Sequence, residues 1–397
     1  MSSVSENVRT WCRVVGAVLA VFVVGCGGAR SASEGAHAPT SGGPQRVDVP
    51  RMVVTPDGAA NIPELYRDAR KKLEGGEVQQ AADELDRIYH LDPDGELAPD
   101  SLQLAAIARE QLGDREGALA RFEQLARRFP KTALGRDALV RVIRLLCYME
   151  RWKRAGEAAD LMMSRYQDLR PFESIVALSG KSLALLAEGD LDRASFEVEK
   201  GRNVVEAHQL DAAGAVPRDL AQLYYALGEI RRRRAEKITF VPVPQNFAQV
   251  LEERCQLLLD AQRAYSDTMR AYDAHWSAMA GYRVGQLYQE LHEDLMAMPH
   301  PVAADTDARK QLFEGALRLR YSVLLDKALA MMEHTLAMAS RTGEHSQWVL
   351  KAEEAKHQLE EAQKQENAAI DRLPYTRAEL RRALEDLAKK KSAPSGN

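Results

Sequence analysis

The chain is poor in the residues that most metal and redox chemistry uses. Four cysteines and nine histidines are spread over 397 residues. No C-x-x-C, H-E-x-x-H, G-x-x-x-x-G-K or G-x-S-x-G spacing occurs. That removes the usual signatures of thiol redox, zinc hydrolysis, phosphate cradling and a nucleophile elbow. Aromatic residues make up only 6% of the chain. Neither sign of charge dominates, since 54 Lys and Arg against 58 Asp and Glu leave a net charge of -4. Nucleic acid favours a basic footprint, so it is not an expected partner. The apolar run at 14–25 has 12 residues, short of the roughly 20 that span a bilayer as a helix. These absences point away from an enzyme, a cofactor, a metal or a small-molecule substrate.

What is present at the N-terminus has three parts. Arg9 and Arg13 give a positive start, "VVGAVLAVFVVG" forms a short apolar core, and "VVGC" leads into Cys26. This is the layout of an export signal over 1–25. A plain secretory signal or an anchor helix would share the first two parts. The segment Val23-Val24-Gly25-Cys26 adds the third, because it resembles the lipobox of bacterial lipoproteins. That resemblance implies cleavage before Cys26, acylation of its thiol and usually of its new amine. Two or three chains give stable membrane attachment. Gly27 stands where an Asp would mark inner-membrane retention in enteric bacteria, which leans towards the outer membrane, facing the periplasm. Removing Glu6, Arg9 and Arg13 with the signal takes the net charge from -4 to -5. Residues 26–60 are rich in Gly, Ser, Ala and Pro and read as a flexible tether. About 34 such residues reach roughly 30 Å. Of the cysteines only Cys147 and Cys255 are then left. An oxidising compartment would permit a bridge, but both sit in helical apolar patterns and buried free thiols are expected.

Beyond the tether the chain repeats. "LYRDARKKLEGGEVQQAADELDRIYHLDP" (65–93), "LQLAAIAREQLGDREGALARFEQLARRFP" (102–130) and "LVRVIRLLCYMERWKRAGEAADLMMSRYQ" (139–167) share one pattern. Ala81, Ala118 and Ala155 recur every 37 residues. Ile88, Leu125 and Met162 follow seven positions later. A weaker copy at 178–206 places Ala194. The physics is helix–turn–helix: Ala permits close helix approach, "EGGE", "LGDR", "MERW" and "EGDL" end the first helix, and Pro93 and Pro130 close the second. Each hairpin leaves an apolar face that a neighbour must cover.

Ala118, Phe122 and Pro130 give the cleanest match to the tetratricopeptide repeat (TPR), which the whole pattern resembles. The 37-residue spacing and "RFPKTALGRDAL" are similar to periplasmic TPR proteins tied to envelope assembly. From 218 the helices lengthen and the signature loosens at Tyr224, Leu227 and Gly228, at Val284, Gly285 and Tyr288, and at Trp348 and Ala352. Prolines at 242, 244, 299 and 301 mark two breaks. This half resembles TPR lipoproteins of gliding bacteria, including envelope parts of motility machines. The expected fold is an all-α solenoid of TPR hairpins, with repeats over 61–210, elongated hairpins over 211–366, and a helix and polar tail over 367–397.

The resemblance implies that the first helices line a concave face. It places Tyr66, Arg70, Gln103, Ile107, Glu110, Arg144 and Tyr148 there, on one-face spacings. Such a mixture of aromatic, cationic and amide groups suits an extended peptide or a partner helix. The implied role is a lipid-anchored adaptor that holds envelope proteins together. Recognition of unfolded outer-membrane protein clients is the alternative. Elsewhere, "RRRR" at 231–234 is either a patch for an acidic partner or a solvated, salt-bridged run. Met331, Met332 and Met338 read as core. His292, Glu293 and His300 read as solvated helix ends.

Overall fold

The computed structural model describes residues 52–55, 58–211, 216–301, 304–382 and 384. The expected signal, Cys26 and most of the expected tether lie outside the described residues, as does the expected polar tail. The described chain falls into two compact units, which divide between Arg151 and Trp152, inside the third repeat.

The first unit opens with a short antiparallel hairpin, β1 (Met52–Thr55) and β2 (Gly58–Asn61), in the register Met52↔Asn61 to Thr55↔Gly58. The flexible tether expected through residue 60 therefore gives way at Met52. "MVVT" supplies β-branched residues, and the following "PDG" is turn chemistry, a signal that the Gly/Pro-rich composition of the tether obscures. Five helices follow: α1 (Ile62–Glu74), α2 (Val78–Leu91), α3 (Ala98–Gln111), α4 (Arg115–Arg128) and α5 (Ala133–Tyr148). Asn61 caps α1 through its Oδ1, which accepts from the Glu64 N–H at 3.4 Å. Asp114 caps α4 in the same way, accepting from the Gly117 N–H at 2.8 Å. The repeated alanines Ala81 and Ala118 are fully buried, and Leu85, Ile88, Phe122 and Leu125 pack in the same core. A side chain of this size contributes roughly 1.5–3 kcal/mol by leaving water.

The hairpin turns are copies of one another. Gly76, Gly113, Glu150 and Gly189 all adopt positive φ, at 85°, 77°, 55° and 86°. In each turn the next residue donates its N–H five residues back: Glu77 to Lys72, Asp114 to Arg109, Arg151 to Leu146, Asp190 to Leu185, at 2.8–3.0 Å. This closes the carbonyls that the helix end leaves open. Glycine takes this conformation freely; Glu150 does not.

The second unit contains α6 (Trp152–Arg165), α7 (Pro171–Glu188) and α8 (Leu191–Ala207), then a 3₁₀ turn (Arg218–Leu220). Ala155, Met162 and Ala194 are fully buried in it. α7 is apolar nearly all round because it packs against α6, α8 and the next long helix. The elongated part is α9 (Ala221–Glu236), α10 (Phe247–Arg270), α11 (Ala274–Met296), α12 (Asp307–Thr342) and α13 (Gln347–Asp371). The 36 residues of α12 make a rod about 54 Å long. The proline breaks fall between α9 and α10 and between α11 and α12, as expected. Gly228 is required by packing: a Cβ there would lie 2.5 Å from the Tyr265 ring. Residues 377–382 are helical. The protein is thus all-α in class and built from TPR-type hairpins, with β1–β2 as a small addition.

Candidate peptide-binding face

All seven expected groove residues belong to the first unit. Tyr66 and Arg70 lie one turn apart on α1, Gln103, Ile107 and Glu110 form a stripe on α3, and Arg144 and Tyr148 lie one turn apart on α5. Arg70 is exposed and the other six are half-buried. α3 touches α5 directly. Tyr66 packs on the cluster of Ile62, Ala69, Leu85, Ile88 and Ala105, which joins α1 to α3. α1 and α3 thus meet through this cluster, and α3 meets α5.

Their electrostatics are set by neighbours. Burial, then the negative charge of Asp100, pushes the Tyr66 hydroxyl above its ordinary value, with Arg70 opposing. Tyr66 is therefore a neutral hydrogen-bonding phenol at physiological pH. Arg70 lies 3.6 Å from Glu74 on its own helix, a contact open to solvent. Such an exposed ion pair contributes little and leaves Arg70 available to a ligand. Glu110 Oε2 accepts from Arg141 Nη1 at 3.4 Å, bridging α3 to α5. The Arg115 guanidinium stands over the Tyr148 ring at 5.7 Å to its centroid, a cation–π contact. Arg141, Arg115 and Asp100 thus belong to the face although the repeat alignment does not name them. Arg141 could have been found in sequence, because it lies one turn before Arg144 on the same stripe. Arg115 comes from a second helix and carries no such signal.

An ionic lattice joins α2, α3 and α4. Arg109 Nη2 donates to Asp86 Oδ2 at 2.6 Å and Nη1 to Asp114 Oδ2 at 3.1 Å. Arg121 donates to both Asp86 oxygens, at 3.0 and 2.8 Å. α2, α3 and α4 are joined through one carboxylate. Burial alone would raise that carboxyl, but hydrogen bonds from Arg121 and Arg109 outweigh it and hold Asp86 below its usual value.

The other motifs resolve differently. The four arginines of 231–234 do not form a patch. Arg231 Nη1 donates to the Asp260 carbonyl of α10 at 2.8 Å, and Arg232 Nη2 to Glu229 at 3.0 Å. Arg233 donates to the Leu186 carbonyl at the end of α7, and Arg234 Nη2 to Ser195 of α8 at 2.9 Å. Successive residues point about 100° apart around a helix, so each reaches a different neighbour. Met332 is fully buried, with Met331 and Met338 half-buried beside it. His292 is buried, and burial lowers its pKa. His300 Nε2 pairs with Glu314 at 2.8 Å on α12. Among the described residues no three metal-ligating side chains converge. Cys147 and Cys255 are free thiols. Burial pushes Cys147 far up and Cys255 to about 11, so both stay protonated and unreactive. No described helix is long and apolar enough to cross a membrane.

No family model matches the chain, and no curated protein matches it. Among solved structures the chain is similar to a tetratricopeptide repeat protein from Parabacteroides merdae, at 11% identity and TM-score 0.38, over 73% of this chain and 98% of that one. It is also similar to a monomeric IFIT1 mutant with m7Gppp-AAAA, at 12% identity and TM-score 0.38, over 76% and 71% of the two chains. A third is the P58(IPK) TPR domain, at 14% identity and TM-score 0.23, over 84% and 99%.

Proposed function

We propose that this protein is a TPR adaptor, anchored to the cell envelope through Cys26, that holds an extended segment or helix of a partner protein on the face formed by α1, α3 and α5. The observation that carries the reading is the state of that face. Six of its seven residues are half-buried and so partly ordered before any ligand arrives, with Tyr148 under Arg115 and Glu110 held by Arg141. Pre-ordered aromatic and cationic side chains bind at lower entropic cost than mobile ones. The lipidated anchor rests on the lipobox and tether. In this reading the adaptor works at the outer membrane, facing the periplasm, within an envelope or motility assembly, with Gly27 supporting the choice of membrane.

The test is capture of partners from detergent-solubilised membranes by the full lipidated chain. Tyr66→Ala combined with Arg144→Glu is expected to weaken capture at least about tenfold, the equivalent of ~1.4 kcal/mol, with helicity and melting preserved. Cys26→Ala is expected to abolish fatty-acid labelling and leave uncleaved precursor. Unchanged capture by the double variant, with loss on substituting 247–341, would move the binding site to the long hairpins. One partner at fixed stoichiometry supports an adaptor. Many transient unfolded partners would instead make it a client-binding assembly factor.

A further inference from the structure

Glu229 and Glu236 lie seven residues apart on α9, and Arg283 and Glu290 seven apart on α11. Seven residues are close to two full turns, so each pair shares a helix face, about 10 Å apart along the axis. α9 and α11 are separated in the chain by α10 and run parallel. Arg283 Nε lies 3.0 Å from Glu229 Oε1, which fixes the level at which the two helices meet. The same register, carried two turns further along both, brings Glu290 against Glu236. Attraction at one level becomes carboxyl against carboxyl at the next.

The cations nearby spend part of their donor capacity elsewhere, and the donors left over, such as Arg254 Nε and Nη1, make no hydrogen bond to Glu290 Oε2. Arg232 divides its fork between Glu229, at 3.0 Å, and Glu236. Arg254 of α10 is 4% exposed and donates Nη2 to Asp294 at 3.1 Å. Arg283 donates Nη1 to Gln286 at 2.6 Å. On α12, Lys327 stands over the Tyr288 ring at 5.3 Å and Arg320 over the Tyr321 ring at 5.7 Å. On α13, Glu354 acts on Tyr282. Within α11, Glu293 accepts from Gln289 at 2.9 Å. Glu290 Oε2 is buried and no donor reaches it. With Glu229, Glu236, Glu290 and Asp294 all ionised against Arg232, Arg254 and Arg283, the cluster carries an excess negative charge.

We propose that Glu290 and Glu236 share one proton, and that this proton latches α11 to the end of α9 and releases it when lost. A protonated Glu290 donates to Glu236, supplies the missing donor and neutralises the excess charge. Burial, then the charge of Glu236, holds the Glu290 carboxyl up at about 7, with Arg232 and Arg254 opposing. A carboxyl raised in the folded state stabilises fully below its unfolded value, and that contribution is lost as pH rises through about 7. Glu236 ends α9 immediately before the 237–246 connection, which carries the exposed Val241 and Val243. Losing the proton sets like charges across a poorly solvated seam, and the end of α9 and its connection are the parts that loosen.

Hydrogen exchange of the full chain, corrected for intrinsic base catalysis, tests this on peptides covering 230–246 and 286–296. Exchange in both is expected to accelerate at least about tenfold, one pK unit's worth, as the pH crosses neutrality, while α7 does not change. Glu290→Gln keeps a donor facing Glu236 and has no proton to lose, so its step should vanish; Glu236→Gln should remove it too. A wild-type protein without the step, or either variant retaining it, would overturn the proposal. So would a ¹³C carboxyl titration of the wild type in which Glu290 titrates as an ordinary glutamate, a measurement that needs no variant.

Discussion

Arg109 and Asp86 are joined at 2.6 Å, and through Asp86 the same contact reaches Arg121. One carboxylate of α2 thus holds guanidiniums from α3 and α4, with the Asp86 side chain only 14% exposed. Of the three helices so joined, α3 also carries Gln103, Ile107 and Glu110.

Asp86→Ala removes the common acceptor and leaves two partly buried cations facing each other. We expect a loss of about 2 kcal/mol in urea unfolding. The pH dependence has a definite sign. A carboxyl held below its ordinary value contributes stability above the unfolded pKa and loses it as pH falls through the depressed one. The wild-type and Asp86→Ala curves should therefore be well separated at neutral pH and converge in strong acid. A separation that stays constant into acid would remove the ion pair as the cause.

Glu150 occupies the position that Gly76, Gly113 and Gly189 fill in the sister turns, at φ 55°. A non-glycine residue there carries roughly 1 kcal/mol of strain. Glu150→Gly is expected to raise the melting temperature by a few degrees and to leave the spectrum of helicity unchanged. A lower melting temperature would mean that the Glu150 side chain contributes more than the turn costs.

Ala118 is fully buried at the close contact of the best-matched repeat. Ala118→Arg forces a long, unpaired cation into that space. The expected loss is several kcal/mol, read by thermal unfolding. Unchanged melting would take Ala118 out of the core.

What the sequence disclosed was local. The alanines at 37-residue intervals, the large residues seven positions on and the turn residues lie within one hairpin, so period and spacing reveal them. Arg115 over Tyr148 and Arg141 on Glu110 were not legible, because each contact depends on which helix lies alongside. The seam of Glu229 with Arg283 was hidden more deeply: it needs the lengths of α9, α10 and α11 and their mutual register before two distant charges can be seen to meet. The run at 231–234 misled in a useful way. In one dimension it is a block of like charge, while wound on a helix it becomes three fastenings to other helices and one ion pair within α9.

Those fastenings impose an order on synthesis. Arg233 and Arg234 hold α7 and α8, which leave the ribosome before α9, while Arg231 holds α10, which leaves after it. As α9 emerges it can dock backwards at once, with two of its arginines already satisfied. Arg231 must wait, its charge still in water, until a further thirty residues or so have been made. A pause placed before α10 is translated would therefore leave Arg231 unseated while Arg233 and Arg234 already reach α7 and α8.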